Sequence, residues 1–253
     1  MEFALKGKVA LVTGGSRGLG RAICLTLAQE GAAIAINFRS DERKAKVLSA
    51  EITEKYGVQA IPVKGDITKE VDVIRIFEEV RSKLSRLDIL VNNSGICPVS
   101  MVKDMSLEEW ESVIRTNLTG TFLTCREMVN TLVKENQPGK IVNIASQSAF
   151  NGSKTGKSHY SASKGGVVTF TLSLAKEVAS YGINVNAVAP GMMYTEMTSV
   201  TLDKDIEKYN REIPIGRIAD VDEVARVVAF LSSDASSYIT GATIDVSGGI
   251  IGI

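Results

Sequence analysis

Tyr160 and Lys164 stand four residues apart in His159-Tyr160-Ser161-Ala162-Ser163-Lys164, inside a stretch whose apolar spacing predicts a helix over about 159–180. One helical turn separates them, so phenol and ammonium share a face. A phenol ionises near pKa ~10 in water, and a neighbouring cation is expected to lower that value, which suits a group that exchanges a proton with a substrate oxygen near neutral pH. Ser146 follows the apolar run Lys140 to Ala145 and can donate to the same oxygen. Ser148 competes for that place, and a loop-capping serine is the plain alternative for either. The single histidine, His159, has no GxSxG nucleophile or ordered acidic partner, so it reads as a helix-start residue or pocket wall and not as a hydrolase base.

A second chemistry sits near the start of the chain. Thr13-Gly14-Gly15-Ser16-Arg17-Gly18-Leu19-Gly20 joins an apolar strand to an amphipathic helix. Glycines allow positive φ and close backbone approach, and the unpaired N–H groups of a helix N-terminus attract a pyrophosphate. A tight strand-to-helix turn without a ligand is the plain alternative. Cofactor choice then depends on the tip of the second strand, Asn37-Phe38-Arg39-Ser40, where an acidic residue would bind a ribose hydroxyl and repel a 2′-phosphate. No carboxylate stands there. Arg39 and Arg17 can converge on a phosphate dianion, which predicts NADP(H) over NAD(H). Asp41 next door and a solvated role for Arg39 remain the competing readings.

These groups need a scaffold, and the patterning supplies one. Strands are predicted at Lys8 to Thr13, Ala33 to Phe38, Gln59 to Lys64, Ile89 to Asn92, Lys140 to Ala145, Asn184 to Val188 and Thr243 to Val246. Helices are predicted near 18–30, 42–56, 69–85, 107–135, 159–180 and 221–231. That alternation predicts an α/β fold, a doubly wound parallel sheet of about seven strands in a single domain over 1–253. Ligands bind such a sheet beyond the carboxyl ends of its strands, so Ser146, Tyr160 and the glycine turn should face one crevice. The segment of about 191–216 is long for a connection and reads as a substrate lid or a surface excursion. Trp110, Met192, Met193 and Met197 read as core or lid packing, and the methionines also suit an adaptable apolar substrate wall.

Composition narrows the partners. The chain has 253 residues, 44% hydrophobic and 23% charged, with Lys plus Arg and Asp plus Glu both at 29, so it can bury its own core and offers no global attraction to nucleic acid. Cys24, Cys97 and Cys125 have no metal or disulfide spacing and read as reduced thiols, with no metal site expected. No leader and no run long enough to span a bilayer is visible, so a cytoplasmic protein without membrane contact is expected.

The glycines at 14, 18 and 20, Asn92-Asn93-Ser94-Gly95, Asn117 in Thr116-Asn117-Leu118-Thr119-Gly120, the Ser146, Tyr160 and Lys164 set, and Pro190-Gly191 followed by Thr195 occur in an order that resembles the short-chain dehydrogenase/reductase family over about 5–250. The resemblance implies a Rossmann-type fold and an NADP(H)-dependent enzyme interconverting a ketone and a secondary alcohol. It implies that Asn117 bends its helix and holds a water beside Lys164, and that Ser16, Leu19, Asn37, Ser40, Asn93, Ser94, Gly95, Pro190, Gly191, Met193 and Thr195 border the cofactor. Asp66, with Ile67 beside it, matches the family's adenine contact, while a helix-cap role for Asp66 is equally compatible. Ser161 to Gly166 and Ser236 to Gly249 are similar to bacterial 3-oxoacyl-[acyl-carrier-protein] reductases, implying a 3-oxoacyl thioester carried on acyl carrier protein. Where similar reductases carry docking arginines this chain has Asn130 and Tyr181, so Lys154 and Lys157 are the cations left to meet an acidic carrier, and ketoacyl-CoA, a free ketone or a sugar-derived ketone stays open. A homotetramer is implied, for which Val224 to Leu231 and Ile250 to Ile253 would supply apolar contacts. A nucleotide-binding sensor without catalysis is the reading from a different class.

Overall fold

Successive side chains of a strand point to opposite faces, so a strand apolar at every position must be covered on both sides. In the computed structural model, which describes residues 3–196, 198–203 and 205–251, the first strand is such a case: Val9 and Leu11 enter one core while Ala10 and Val12 enter another. Along the chain run β1 (Val9–Val12), α1 (Gly18–Gln29), β2 (Ala33–Phe38), α2 (Glu42–Tyr56), β3 (Ala60–Lys64), α3 (Glu70–Leu84), β4 (Ile89–Asn92), α4 (Leu107–Ile114), α5 (Gly120–Glu135), β5 (Gly139–Ile144), α6 (Ser148–Asn151), α7 (Ser158–Val178), β6 (Ile183–Pro190), α8 (Ser199–Leu202), α9 (Ile206–Glu212), α10 (Val221–Leu231) and β7 (Thr243–Val246). The strands form one parallel sheet in the order β3-β2-β1-β4-β5-β6-β7. All seven expected strands are present, with ends moved by a residue or two.

Helices α1, α2 and α10 cover one face, and α3, α5 and α7 cover the other. Chain order reverses direction across the sheet between β1 and β4, which opens a crevice at their carboxyl ends. The structure corrects three expectations. Val224, Ala225, Val228, Ala229 and Leu231 of α10 are buried within this chain, in the core they share with α1, so their apolar character needs no second subunit to explain it. Ile250 and Ile251 are partly buried, while Gly252 and Ile253 lie outside the described residues. Trp110 of α4 is 38% exposed and so is not a core residue.

The third correction concerns the helix expected over 107–135. It is interrupted at Arg115–Thr119 by a wider π turn that carries the buried Asn117. Next to it a polar network ties the sheet to two helices. Asn92 Nδ2 donates to Asn143 Oδ1 at 2.9 Å, Thr124 Oγ1 donates to Asn92 Oδ1 at 2.6 Å, and Asn143 Nδ2 donates to Thr171 Oγ1 at 2.9 Å. All four residues are buried, so each donor removed from water needs its partner. Asn143→Ala leaves the Asn92 amide with only the weaker Cys125 thiol acceptor at 3.2 Å and removes the donor to Thr171, and we expect it to lower unfolding stability by about 1–3 kcal/mol. Urea denaturation measures this, and an unchanged midpoint would show that the network does not hold the strands.

Candidate active site

Strand β5 ends at Ile144 and delivers Ser146 to the crevice, while the first turn of α7 delivers Tyr160 and its second Lys164. Ser146 is buried, and its Oγ accepts the Ser148 backbone N–H at 3.1 Å. Ser148 thus supports Ser146 through its backbone. Tyr160 is half-buried, and the Ser146 hydroxyl stands close enough to favour its ionised form. Lys164 is buried, its Nζ donates to the Ile144 carbonyl at 2.6 Å, and it lies 5.8 Å from the Tyr160 ring centre.

The electrostatics reverse the expected direction for the phenol. Burial pushes Tyr160 up to about 12, with the nearby Cys97 thiol acting the same way and the Ser146 hydroxyl opposing both. Lys164 turns its ammonium to a backbone carbonyl, and burial lowers it to about 8 against a smaller opposing effect of Cys97. Removing a group from water penalises its charged form, which for a phenol is the anion and for a lysine the cation. As built, the pair is a neutral phenol beside an ammonium that sheds its proton readily.

Asn117 ties this corner together. Its Oδ1 accepts Ile96 N–H at 2.9 Å, and its Nδ2 donates to Ile96 O and to Ser163 Oγ, each at 3.0 Å. Ser163 Oγ in turn donates to the Tyr160 carbonyl at 2.7 Å. The loop after β4 and the helix turn bearing Tyr160 are therefore joined through one buried amide. Both amide donor positions are spent on protein, so the side chain positions the loop and offers no N–H to a water. Gly95 lies against this amide: a methyl there would come within 3.3 Å of Asn117 Oδ1 and 3.7 Å of Lys164 Nζ.

The glycine turn lies at the same sheet edge. Gly14 has φ +60, and a methyl at Gly20 would come 2.3 Å from the Gly14 carbonyl, so side chains are excluded where strand and helix meet. Thr13 Oγ1 accepts the N–H groups of Asn93 and Ser94 at 3.0 Å each, and Asn93 Nδ2 donates to Thr13 O at 3.0 Å and Gly14 O at 3.1 Å. The Asn93 side chain is thus committed to the turn, and the Ser94 hydroxyl packs against Gly14. Helix α1 starts without a capping side chain and without an acidic residue in its first turn, so its N–H groups are available to an anion. Ser16, Arg17 and Gly18 border a cleft of about 380 Å³ that also takes in Arg21, Arg43 and Lys44. Bare helix donors and converging cations fit the phosphates of a dinucleotide.

At the tip of β2 the residues divide. Asn37 is buried, donating to Val63 O at 3.3 Å and Gly65 O at 3.1 Å while its carbonyl accepts Gly15 N–H at 3.0 Å, so it shapes the turn from beneath. Arg39 and Ser40 are exposed, and Arg39 makes no ion pair among the described residues. Asp41 is spent capping α2, accepting Lys44 N–H at 3.0 Å. Asp66 Oδ1 closes a turn with Thr68, bonding its N–H at 3.0 Å and its hydroxyl at 2.8 Å, and the buried Ile67 packs on Gly120. Pro190 O accepts Gln147 N–H at 3.0 Å, Gly191 N–H donates to Val246 O at 2.9 Å, Met193 bridges to Ala219, and Thr195 faces Gly18. Met197 lies outside the described residues. His159 is buried in the first turn of α7, and neither ring nitrogen has a partner among the described residues.

Four residues escaped the reading of the sequence. Thr13 carries the turn but resembles any strand-end threonine. Lys44 and Glu196 meet only through tertiary folding, being 152 residues apart. Cys97, a half-buried thiol raised by burial and close enough to feel Lys157 and Lys164, follows the Asn93 to Gly95 motif by two positions.

Comparison with known proteins agrees with this geometry. The model of a family described as enoyl-(acyl carrier protein) reductase matches residues 14–251. The 3-oxoacyl-[acyl-carrier-protein] reductase FabG of Aquifex aeolicus is 46% identical over 250 residues, covering 99% of this chain and 100% of its own. The 3-oxoacyl-[acyl-carrier-protein] reductase of Synechocystis sp. is 41% identical over 249 residues, 98% of each chain. The crystal structure of a short-chain type dehydrogenase/reductase from Mycobacterium marinum superposes with a TM-score of 0.94 at 35% identity, covering 100% of this chain and 98% of that one. The chain therefore belongs to the short-chain dehydrogenase/reductase family and is an oxidoreductase of the ketone and secondary-alcohol pair that works with a nicotinamide cofactor.

Proposed function

We propose that this protein is an NADP(H)-dependent reductase that converts the ketone of a 3-oxoacyl thioester into the 3-hydroxyacyl form. The observation that carries the reading is the gathering of Ser146, Tyr160 and the buried Lys164 in one corner, at the sheet edge that also holds the glycine turn. Two hydroxyl groups meeting at one point suit a single oxygen that gains negative charge, which is what a ketone becomes on reduction. Bound nicotinamide supplies the hydride. Ser146 Oγ donates to the carbonyl oxygen and orients it. Tyr160 Oη, neutral at physiological pH, hands its proton to that oxygen. The Lys164 ammonium stabilises the phenolate that remains, and Asn117 acts as a positioning residue.

For the cofactor we assign Gly14, Ser16, Gly18, Leu19 and Gly20 to the phosphates of the bridge, with Arg17, Arg39 and Ser40 joined by Lys44 at the 2′-phosphate. Asp66 and Ile67 border the adenine, Asn93, Ser94 and Gly95 the ribose side, and Pro190, Gly191, Met193 and Thr195 the carboxamide. Support comes from the absence of a free carboxylate at the tip of β2, since Asp41 is engaged as a cap. The carrier-linked substrate is supported by the names of the relatives and by Lys154 and Lys157 on the loop before α7, cations that an acidic carrier would meet. Residues 191–216, with α8 and α9, are assigned as the substrate lid within one domain. Exposed Phe122 and Leu172 on α5 and α7 support assembly as a homotetramer, and three free thiols suit a cytoplasmic location.

NADPH consumption with acetoacetyl-CoA and an acetoacetyl carrier protein tests the reading. Tyr160→Phe should lower kcat/KM by about 10²–10⁴-fold while NADPH binding persists. Unchanged turnover would remove Tyr160 from the mechanism, and no turnover with any ketone would favour a sensor. The pH profile has a definite sign. The phenol, raised to about 12, stays protonated through the neutral range, whereas Lys164, lowered to about 8, loses its charge above that pH. Reduction should therefore hold steady below pH 8 and fall above it, and alcohol oxidation should rise with pH as the phenolate becomes accessible; a reduction rate that climbs through pH 8 would contradict the assignment. Arg39→Glu should shift the NADPH to NADH preference by about tenfold toward NADH, read as a ratio of kcat/KM values, and an unaltered ratio would exclude Arg39 from the phosphate site.

A further inference from the structure

The cations of the cleft beside the glycine turn do not share one fate. Arg21 is held by Glu51, its Nη2 donating to the two carboxylate oxygens at 2.8 and 2.7 Å and linking α1 to α2. Arg17 and Lys44 are held by the lid segment instead. Glu196 Oε2 lies 3.4 Å from Arg17 Nη1, and its Oε1 lies 2.7 Å from Lys44 Nζ. The Lys44 hydrogen bond, outweighing the cost of burial, keeps the Glu196 carboxyl below its usual value, and Arg17 adds to the effect. Next to it, Thr195 packs over Gly18 and its N–H donates to Thr198 Oγ1 at 2.9 Å, so the carboxylate stands on a bonded turn directly above the helix start.

We propose that Glu196 is a specificity-determining residue for the cofactor: a carboxylate latch on the lid that the ligand's 2′-phosphate must displace from Arg17 and Lys44. The inference rests on the NADP(H) reading above. A phosphate dianion carries twice the charge of a carboxylate and three terminal oxygens, so it outcompetes Glu196 for both cations. A ribose bearing only hydroxyls has no such claim and leaves the latch closed. Once displaced, the carboxylate faces the phosphate as a like charge, so the lid turn must move away from the glycine turn. Glu196 thereby taxes ligands that bear a 2′-phosphate and couples their binding to release of the lid.

Calorimetric titration of wild type, Glu196→Gln, Lys44→Met and the double variant with 2′,5′-ADP and with 5′-AMP tests the latch without catalysis. Glu196 is exposed, so the substitution leaves the fold intact, and an unchanged thermal midpoint checks this. We expect Glu196→Gln to bind 2′,5′-ADP about three- to tenfold more tightly, the range that two exposed ion pairs allow, and 5′-AMP within about twofold. The gain should shrink in the Lys44→Met background, because the two residues act as a pair. Equal tightening for both nucleotides, or unchanged or weaker 2′,5′-ADP binding, overturns the latch. A wild type that binds both nucleotides equally sinks the NADP(H) reading and the latch together, whereas a wild-type preference for 2′,5′-ADP without a gain in Glu196→Gln sinks the latch alone.

Discussion

A parallel sheet cannot cover the carboxyl ends of two neighbouring strands whose connections leave in opposite directions, and everything functional in this protein sits at the gap that results. Between β1 and β4 the order reverses. From β1 comes the glycine turn, from β4 the loop that Asn117 grips, and from β5 the serine that stands near the phenol. These groups meet in one corner of the molecule. Its stiffness comes from buried amides whose partners are all protein, first Asn92 with Asn143 and then Asn117 with Ile96 and Ser163.

That stiffness has an electrostatic consequence. Held away from water, the phenol keeps its proton and the lysine gives its own up more readily, so both are displaced toward the neutral state. A protonated phenol is ready to donate, which favours reduction over oxidation near neutrality. The Lys164 ammonium is tied to the Ile144 carbonyl, at the end of the strand that leads to Ser146, so proton donor and substrate-orienting serine share one local frame.

Much of this was legible in the sequence because it was written in local order. Short, continuous apolar runs marked seven strands, and the Tyr160 and Lys164 spacing placed two groups on one helical face. Other features depend on what folding brings together. Asn37 reads as a ligand contact at a strand tip, yet its amide turns inward because the carbonyls of Val63 and Gly65 require donors there. The helix over 107–135 is continuous by its apolar pattern; the family resemblance places a bend at Asn117, and that residue's side-chain bonds give the π turn its physical reason. The direction of the Tyr160 shift was misread because sequence spacing reveals a neighbouring charge but not the depth of burial that outweighs it. Val224 to Leu231 looked unpartnered because the α1 surface that covers it lies some 200 residues away in the chain.

The central claim is that Ser146 and Tyr160 address the same substrate oxygen, and a crystal structure of the ternary complex with oxidised cofactor and a 3-hydroxyacyl thioester measures it directly. The account predicts both hydroxyls within hydrogen-bond reach of that oxygen, roughly 2.6–3.2 Å. A substrate oxygen that contacts neither of them, bound instead against His159 or the lid, would contradict it.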